Sequence, residues 1–121
     1  MDKYSIRITR QARAHLREIH KYIENEIMSP GAAKNTIAAI KGEMLSLEIM
    51  PQRIRLTPEK PWSSQGIRRK RVKNFYIYFW IDEEQKKVQI IGVVYVRRDQ
   101  SKQLDLMSMD DGMSVLHEAH E

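Results

Sequence analysis

Five of the seven residues 67–73 are basic: Arg68, Arg69, Lys70, Arg71 and Lys73 stand around Ile67 and Val72. Alternation along a strand places Arg69, Arg71 and Lys73 on one face, and Arg68 and Lys70 on the other beside Val72. Burying both faces would strip five cations of water, so the segment belongs at a sheet edge or keeps one face wet. Edge charges discourage sheet-to-sheet pairing, but five mutually repelling ones exceed that need and point to an anion. A second cluster, Arg97-Arg98, follows Tyr95. Guanidinium groups suit such a surface because their planar donors grip two oxygens at once. If the strand ending at Tyr95 lies near residues 67–73, the two clusters line one concave surface. Arg68, Arg69, Lys70, Lys73 and Arg97 would then bind a polyanion. Tyr76 and Tyr95 offer faces on which bases stack, although aromatic residues at period two also serve as core.

The elements that must position these residues are readable from spacing. Residues 3–9 alternate, with Tyr4, Ile6 and Ile8 on one face, which predicts a half-buried strand. Thr9 is placed to cap a helix running to about Met28, whose stripe is Ala12, Leu16, Ile19, Ile23 and Ile27. Ser29-Pro30 starts a second helix, with Ala33, Ile37, Ile40, Met44 and Leu47 on its stripe, and Met50-Pro51 stops it. So short a joint predicts an antiparallel helical hairpin. Residues 51–66, rich in Pro and Ser, read as a loop. Three strands follow, at 67–73, 75–81 and 87–96; the second is apolar on both faces and belongs in the sheet interior. A short helix is expected near 100–107. The fold class is therefore α+β, in the order β-α-α-β-β-β, with the helical hairpin on one face of a mainly antiparallel four-stranded sheet.

A length of 121 residues accommodates one small domain, read as residues 1–107 followed by a flexible acidic tail, 108–121. Charge is unevenly spread. The formal net charge is +5, but residues 105–121 alone contribute −5 and hold no Lys or Arg. The basic body suits RNA, DNA or an acidic protein segment, and the tail is expected to lie over the basic patch and shield it. With no cysteine, thiolate metal sites and disulfides are excluded, and a reducing cytoplasm is the expected compartment. No apolar run reaches the length of a membrane span, so no membrane partner is expected. His117 and His120 lack zincin spacing, and His15 and His20 are expected at the surface. Neither a metal nor a cofactor is implied.

The ordered set of short stretches resembles the RelE/ParE toxin superfamily. Tyr4-Ser5-Ile6-Arg7-Ile8-Thr9 with Ala12, Leu16 and Tyr22-Ile23 is similar to its first strand and helix. Pro30, Ala32-Ala33, Leu47 and Pro51-Gln52-Arg53 resemble its second helix and exit. Gly66-Ile67-Arg68, Val72-Lys73-Asn74-Phe75 and Val93 to Asp99 resemble its later strands and closing arginine pair. Together these stretches span roughly residues 3–104.

The resemblance implies a small basic toxin held inactive by an acidic antitoxin, as a homodimer or a toxin–antitoxin hetero-oligomer. Its RelE-like branch cleaves mRNA on the ribosome; its ParE-like branch poisons DNA gyrase. On the ribonuclease reading, Arg71 and Arg98 are the candidate catalytic residues, stabilising phosphorane charge. The arginine that RelE-like nucleases place early in the aromatic strand appears here as Phe75 or Tyr76, and residues 99–107 contain no tyrosine. That inclines the reading towards gyrase. A non-toxic basic nucleic-acid-binding module on the same fold is the alternative; its affinity would fall steeply with salt.

Overall fold

The computed structural model describes residues 3–107. Its elements are β1 (Ser5–Ile8), α1 (Arg10–Glu26), α2 (Pro30–Ser46), β2 (Arg68–Val72), β3 (Phe75–Asp82), β4 (Lys87–Tyr95) and α3 (Gln100–Leu106), with short 3-10 turns at Pro51–Arg53 and Trp62–Gln65. The expected order and α+β class are borne out. The flexibility anticipated for 108–121 concerns residues outside those described.

Both long helices begin where their caps dictate. The Thr9 hydroxyl accepts from the Ala12 amide, and the Ser29 hydroxyl accepts from the Ala32 amide with Pro30 at the first helical position. The second helix ends at Ser46, and Met50 takes a left-handed conformation (φ 47°) ahead of Pro51. Proline disfavours the right-handed helical region for the residue before it, so the chain turns away here.

The sheet order is β1-β4-β3-β2. The β4–β3 and β3–β2 pairs are antiparallel, whereas β1 joins β4 in parallel. The hairpin α1–α2 covers one face, burying Leu16, Ile40, Met44, Ile77, Phe79 and Ile90 in the larger core. The opposite face has a cover of its own that the sequence reading did not anticipate. Ile67, Tyr78, Ile91, Val94 and Leu104 form a second core, with Trp62 and Met107 against it. The two-faced apolar pattern of β3 explains the need: Tyr78 faces opposite to Ile77 and Phe79, and all three are fully buried.

Residues 51–66 are a close-fitting strap along β2. The Arg69 amide donates to the Arg55 carbonyl and the Thr57 amide to the Ile67 carbonyl. As predicted, β2 is an edge strand, but part of its outer edge is already paired.

Candidate functional site at the sheet tip

The short first strand creates the site. β1 stops at Ile8, paired with Ile90, while β4 continues to Tyr95. Backbone groups left beyond that step need partners. The Val93 amide finds one in His15 Nδ1 at 3.1 Å, across the mouth of α1. His15 is therefore half-buried and structural rather than a surface residue, a correction to the sequence reading. The useful signal was its place beside Leu16, three residues after Ala12 and four before Ile19.

Between this step, α1 and the start of α2 lies an open groove of about 770 Å³. Ile19, Ile23, Ile27, Phe75, Val93 and Tyr95 line it with apolar surface, and Lys73 and Arg98 stand among its walls. Tyr22 and Ile27 are more than half exposed beside it, and Met28 is 82% exposed at the helical joint. A small protein does not leave several large side chains grouped in a groove without some use for them.

The basic residues divide into two groups. On β2, Arg68 Nη1 donates to the carbonyls of Ile54 (2.6 Å) and Gln52 (3.3 Å), tying the strap down. Arg69 lies 4.0 Å over the Tyr76 ring and forms a 3.1 Å ion pair with Glu59, both side chains at least four-fifths buried. The Glu59 carboxylate also accepts from the Thr57 hydroxyl. Lys70 pairs with Glu43 of α2 at 3.2 Å. These three cations are engaged within the fold.

Arg71, Lys73, Arg97 and Arg98 are exposed, and none has a carboxylate partner among the described residues. They gather at the tip. Val72 pairs with Phe75, leaving Lys73-Asn74 as a two-residue turn with Lys73 at φ 52°. Arg71 Nε donates to the Lys73 carbonyl at 3.0 Å. The Val96 amide donates to the Asn74 carbonyl at 2.9 Å, which holds the start of Arg97-Arg98 against that turn. The two clusters thus meet at the end of the sheet rather than along neighbouring strands, because β3 separates β2 from β4.

The proposed stacking residues differ in the same way. One face of Tyr76 is covered by the Arg69 guanidinium. Tyr95 is 38% exposed, lies 5.8 Å from the Phe75 ring and lines the groove. Tyr78 is buried on the opposite face and offers no open ring for stacking; its hydroxyl donates to Gln100 Oε1 at 2.6 Å, and burial pushes its pKa up to about 12. No group of three or more metal-ligating side chains occurs among the described residues. No helix among them is long and apolar enough to cross a membrane.

The model of the ParE toxin of the type II toxin–antitoxin system parDE matches residues 6–100. The chain belongs to the ParE toxin family. Solved structures share the fold of this ParE-family chain. A chromosomal ParDE toxin–antitoxin system from P. aeruginosa has a chain 21% identical, with TM-score 0.65, covering 78% of this chain and 98% of that one. The RelBE2 toxin–antitoxin complex from Mycobacterium tuberculosis has one 21% identical, with TM-score 0.57, covering 77% and 98%. An E. coli toxin RelE mutant in the free state is 12% identical, with TM-score 0.57, covering 84% and 92%. No curated protein matches the ParE-family sequence significantly.

Proposed function

We propose that this ParE-family chain is a cytoplasmic toxin that arrests growth when free, with DNA gyrase favoured over the translating ribosome as its target. An acidic antitoxin segment holds it inactive by filling the tip groove. The carrying observation is the division of the basic residues. Arg68, Arg69 and Lys70 are spent on internal contacts, whereas Arg71, Lys73, Arg97 and Arg98 are exposed, and Lys73 and Arg98 line a largely apolar groove. A groove of this kind suits a polypeptide with apolar anchors and carboxylates, by helix-in-groove or extended-segment docking. It suits a long phosphate track less well, since the strand that would carry the track is half occupied. Ribonuclease chemistry also finds less support, because the Tyr76 ring is capped by Arg69.

Induced expression without an antitoxin tests the reading, with mRNA cleavage on ribosomes and gyrase supercoiling followed in parallel. Growth arrest with lost supercoiling and intact mRNA is expected. Ribosome-dependent cleavage would move the target to the ribosome, with Arg71 and Arg98 as its catalytic candidates. Unimpaired growth would leave a basic nucleic-acid-binding module.

A further inference from the structure

Among the described residues, β1 is the last strand on its side of the sheet. Backbone direction alternates along it. The amides of Ser5 and Thr9 donate inward, to the Lys86 and Ile90 carbonyls, whereas the Tyr4 amide donates outward to the Glu48 carbonyl. The Ile6 N–H and C=O and the Ile8 N–H therefore also point outward, and none of the three has a partner among the described residues. Residues 48–49 fill the outer lane only as far as Tyr4, through that bond and an antiparallel bridge between Lys3 and Ile49. Past Tyr4 the lane is open until α1 begins at Arg10, a length of roughly 13 Å for the strand Ser5–Ile8. The Ile6 and Ile8 side chains are only partly buried, at the margin of the hairpin-side core.

An open strand edge invites association, and a charged residue on it is a common remedy. Arg7 does not act that way. A blocking charge stands in water, but Arg7 Nε and Nη2 are buried without a hydrogen-bond partner. Its neighbours across the sheet do not answer it either. In the row Arg7–Gln89–Trp80, Gln89 Oε1 and Trp80 Nε1 are likewise buried and unbonded, and Gln89 is only 2% exposed. A guanidinium desolvated this far calls for an anion, and its fork matches a carboxylate. The inner neighbour of Arg7 is already Gln89, so a cross-strand carboxylate must come from the outer lane. A second copy of β1 cannot supply it: antiparallel pairing about Arg7 sets Arg7 against Arg7, and pairing about Ile6 sets Ser5 against it.

We propose that the outer edge of β1 is a strand-addition site for an acidic partner protein, which enters as an extended segment with an apolar–acidic–apolar pattern. The segment's backbone pairs with Ile6 and Ile8, and its apolar side chains lie beside theirs on the hairpin side. Its carboxylate points to the opposite face, as alternation requires, and closes on Arg7. The body of the chain favours such a partner, since its net charge is +10 once the −5 of residues 105–121 is set aside. Ile6, Arg7 and Ile8 do not line the tip groove, so this edge is a separate surface.

NMR on the full 15N-labelled chain tests this edge, with a short peptide, Gly-Ser-Thr-Val-Glu-Val-Thr-Ser-Gly, and its counterpart carrying Gln for Glu. In the isolated chain the outward Ile6 and Ile8 amides should exchange with solvent faster than the inward Arg7 amide. Saturating Glu peptide should slow both at least about fivefold. At low salt it should bind about tenfold more tightly than the Gln peptide, and Arg7→Gln should abolish that preference. Slow Ile6 and Ile8 exchange in the isolated chain means that this chain or a second copy already holds the edge, and overturns the proposal. So does equal binding of the two peptides to wild type, or no protection at millimolar peptide. Shifts confined to Tyr95 and Arg98 put the peptide in the tip groove, which overturns the β1 site and leaves the groove reading standing.

Discussion

The basic residues of β2 and those of the sheet tip are the same kinds of side chain in two different situations. On β2 the neighbouring strap and helix supply acceptors: carbonyls of Gln52 and Ile54 for Arg68, Glu59 for Arg69, Glu43 for Lys70. At the tip, Glu18 lines the same groove as Lys73 and Arg98, and Asp99 follows Arg98, but none of the four tip cations forms an ion pair among the described residues. A run of positive charge in sequence therefore separates into structural and available cations according to what the chain folds beside it. Only the available ones can give affinity to a partner without first breaking an internal contact.

The largest effect that would sharpen this contrast is on stability. Arg69→Ala leaves Glu59 nearly buried and unpaired and should cost roughly 2–3 kcal/mol in urea denaturation. Arg98→Ala, at the exposed tip, should stay within about 0.5 kcal/mol. Equal losses would erase the distinction. On binding the order should reverse. Lys73→Glu/Arg98→Glu should weaken association with an acidic antitoxin segment by about tenfold or more at low salt, with an unchanged melting curve. Titration calorimetry at two salt concentrations checks this.

A smaller effect belongs to the face opposite the hairpin. Tyr78→Phe loses the bond to Gln100 and should cost about 1 kcal/mol at neutral pH. Because burial raises the Tyr78 pKa to about 12, its stabilisation is complete below pH 10 and fades as pH rises from 10 towards 12. The variant should lack that part of the alkaline loss. The smallest effect is at the far end of the sheet. The exposed Glu83 carboxylate accepts from the Tyr4 hydroxyl and Gln52 Nε2, which holds its pKa below the ordinary carboxylate range. Its contribution is present above that range and lost as pH falls through it and below. Glu83→Gln should flatten the acid limb of the stability–pH curve slightly.

Much of the fold was legible because local signals agreed. Thr9, Ser29-Pro30 and Met50-Pro51 each carry their own reason for starting or stopping a helix, and the two-faced pattern of 75–81 placed that strand in the interior. The second core was harder to read. Ile67, Leu104 and Trp62 are isolated apolar residues in polar stretches, and only the topology brings them onto Tyr78 and Ile91. The candidate site was legible in kind but not in arrangement. Composition identified all the cations, yet their division depends on Glu43 and Glu59, which lie 27 and 10 residues before their partners. His15 escaped because its role depends on β1 ending before β4 does.

That parallel pairing of the first strand with the last has a consequence for synthesis. Ser5–Ile8 can dock only on residues 87–90, so the sheet cannot close until the growing chain has passed Ile90. At roughly 5–20 residues per second, that delay is on the order of 4–16 s after Ile8 is made. Throughout it, the apolar stripes of α1 and α2 lack most of the surface they will cover. The finished groove, which needs His15 against Val93 and Lys73 beside the end of β4, comes into being only once Lys87–Tyr95 has joined the sheet. A partner that recognises the groove must therefore wait until β4 has left the ribosome.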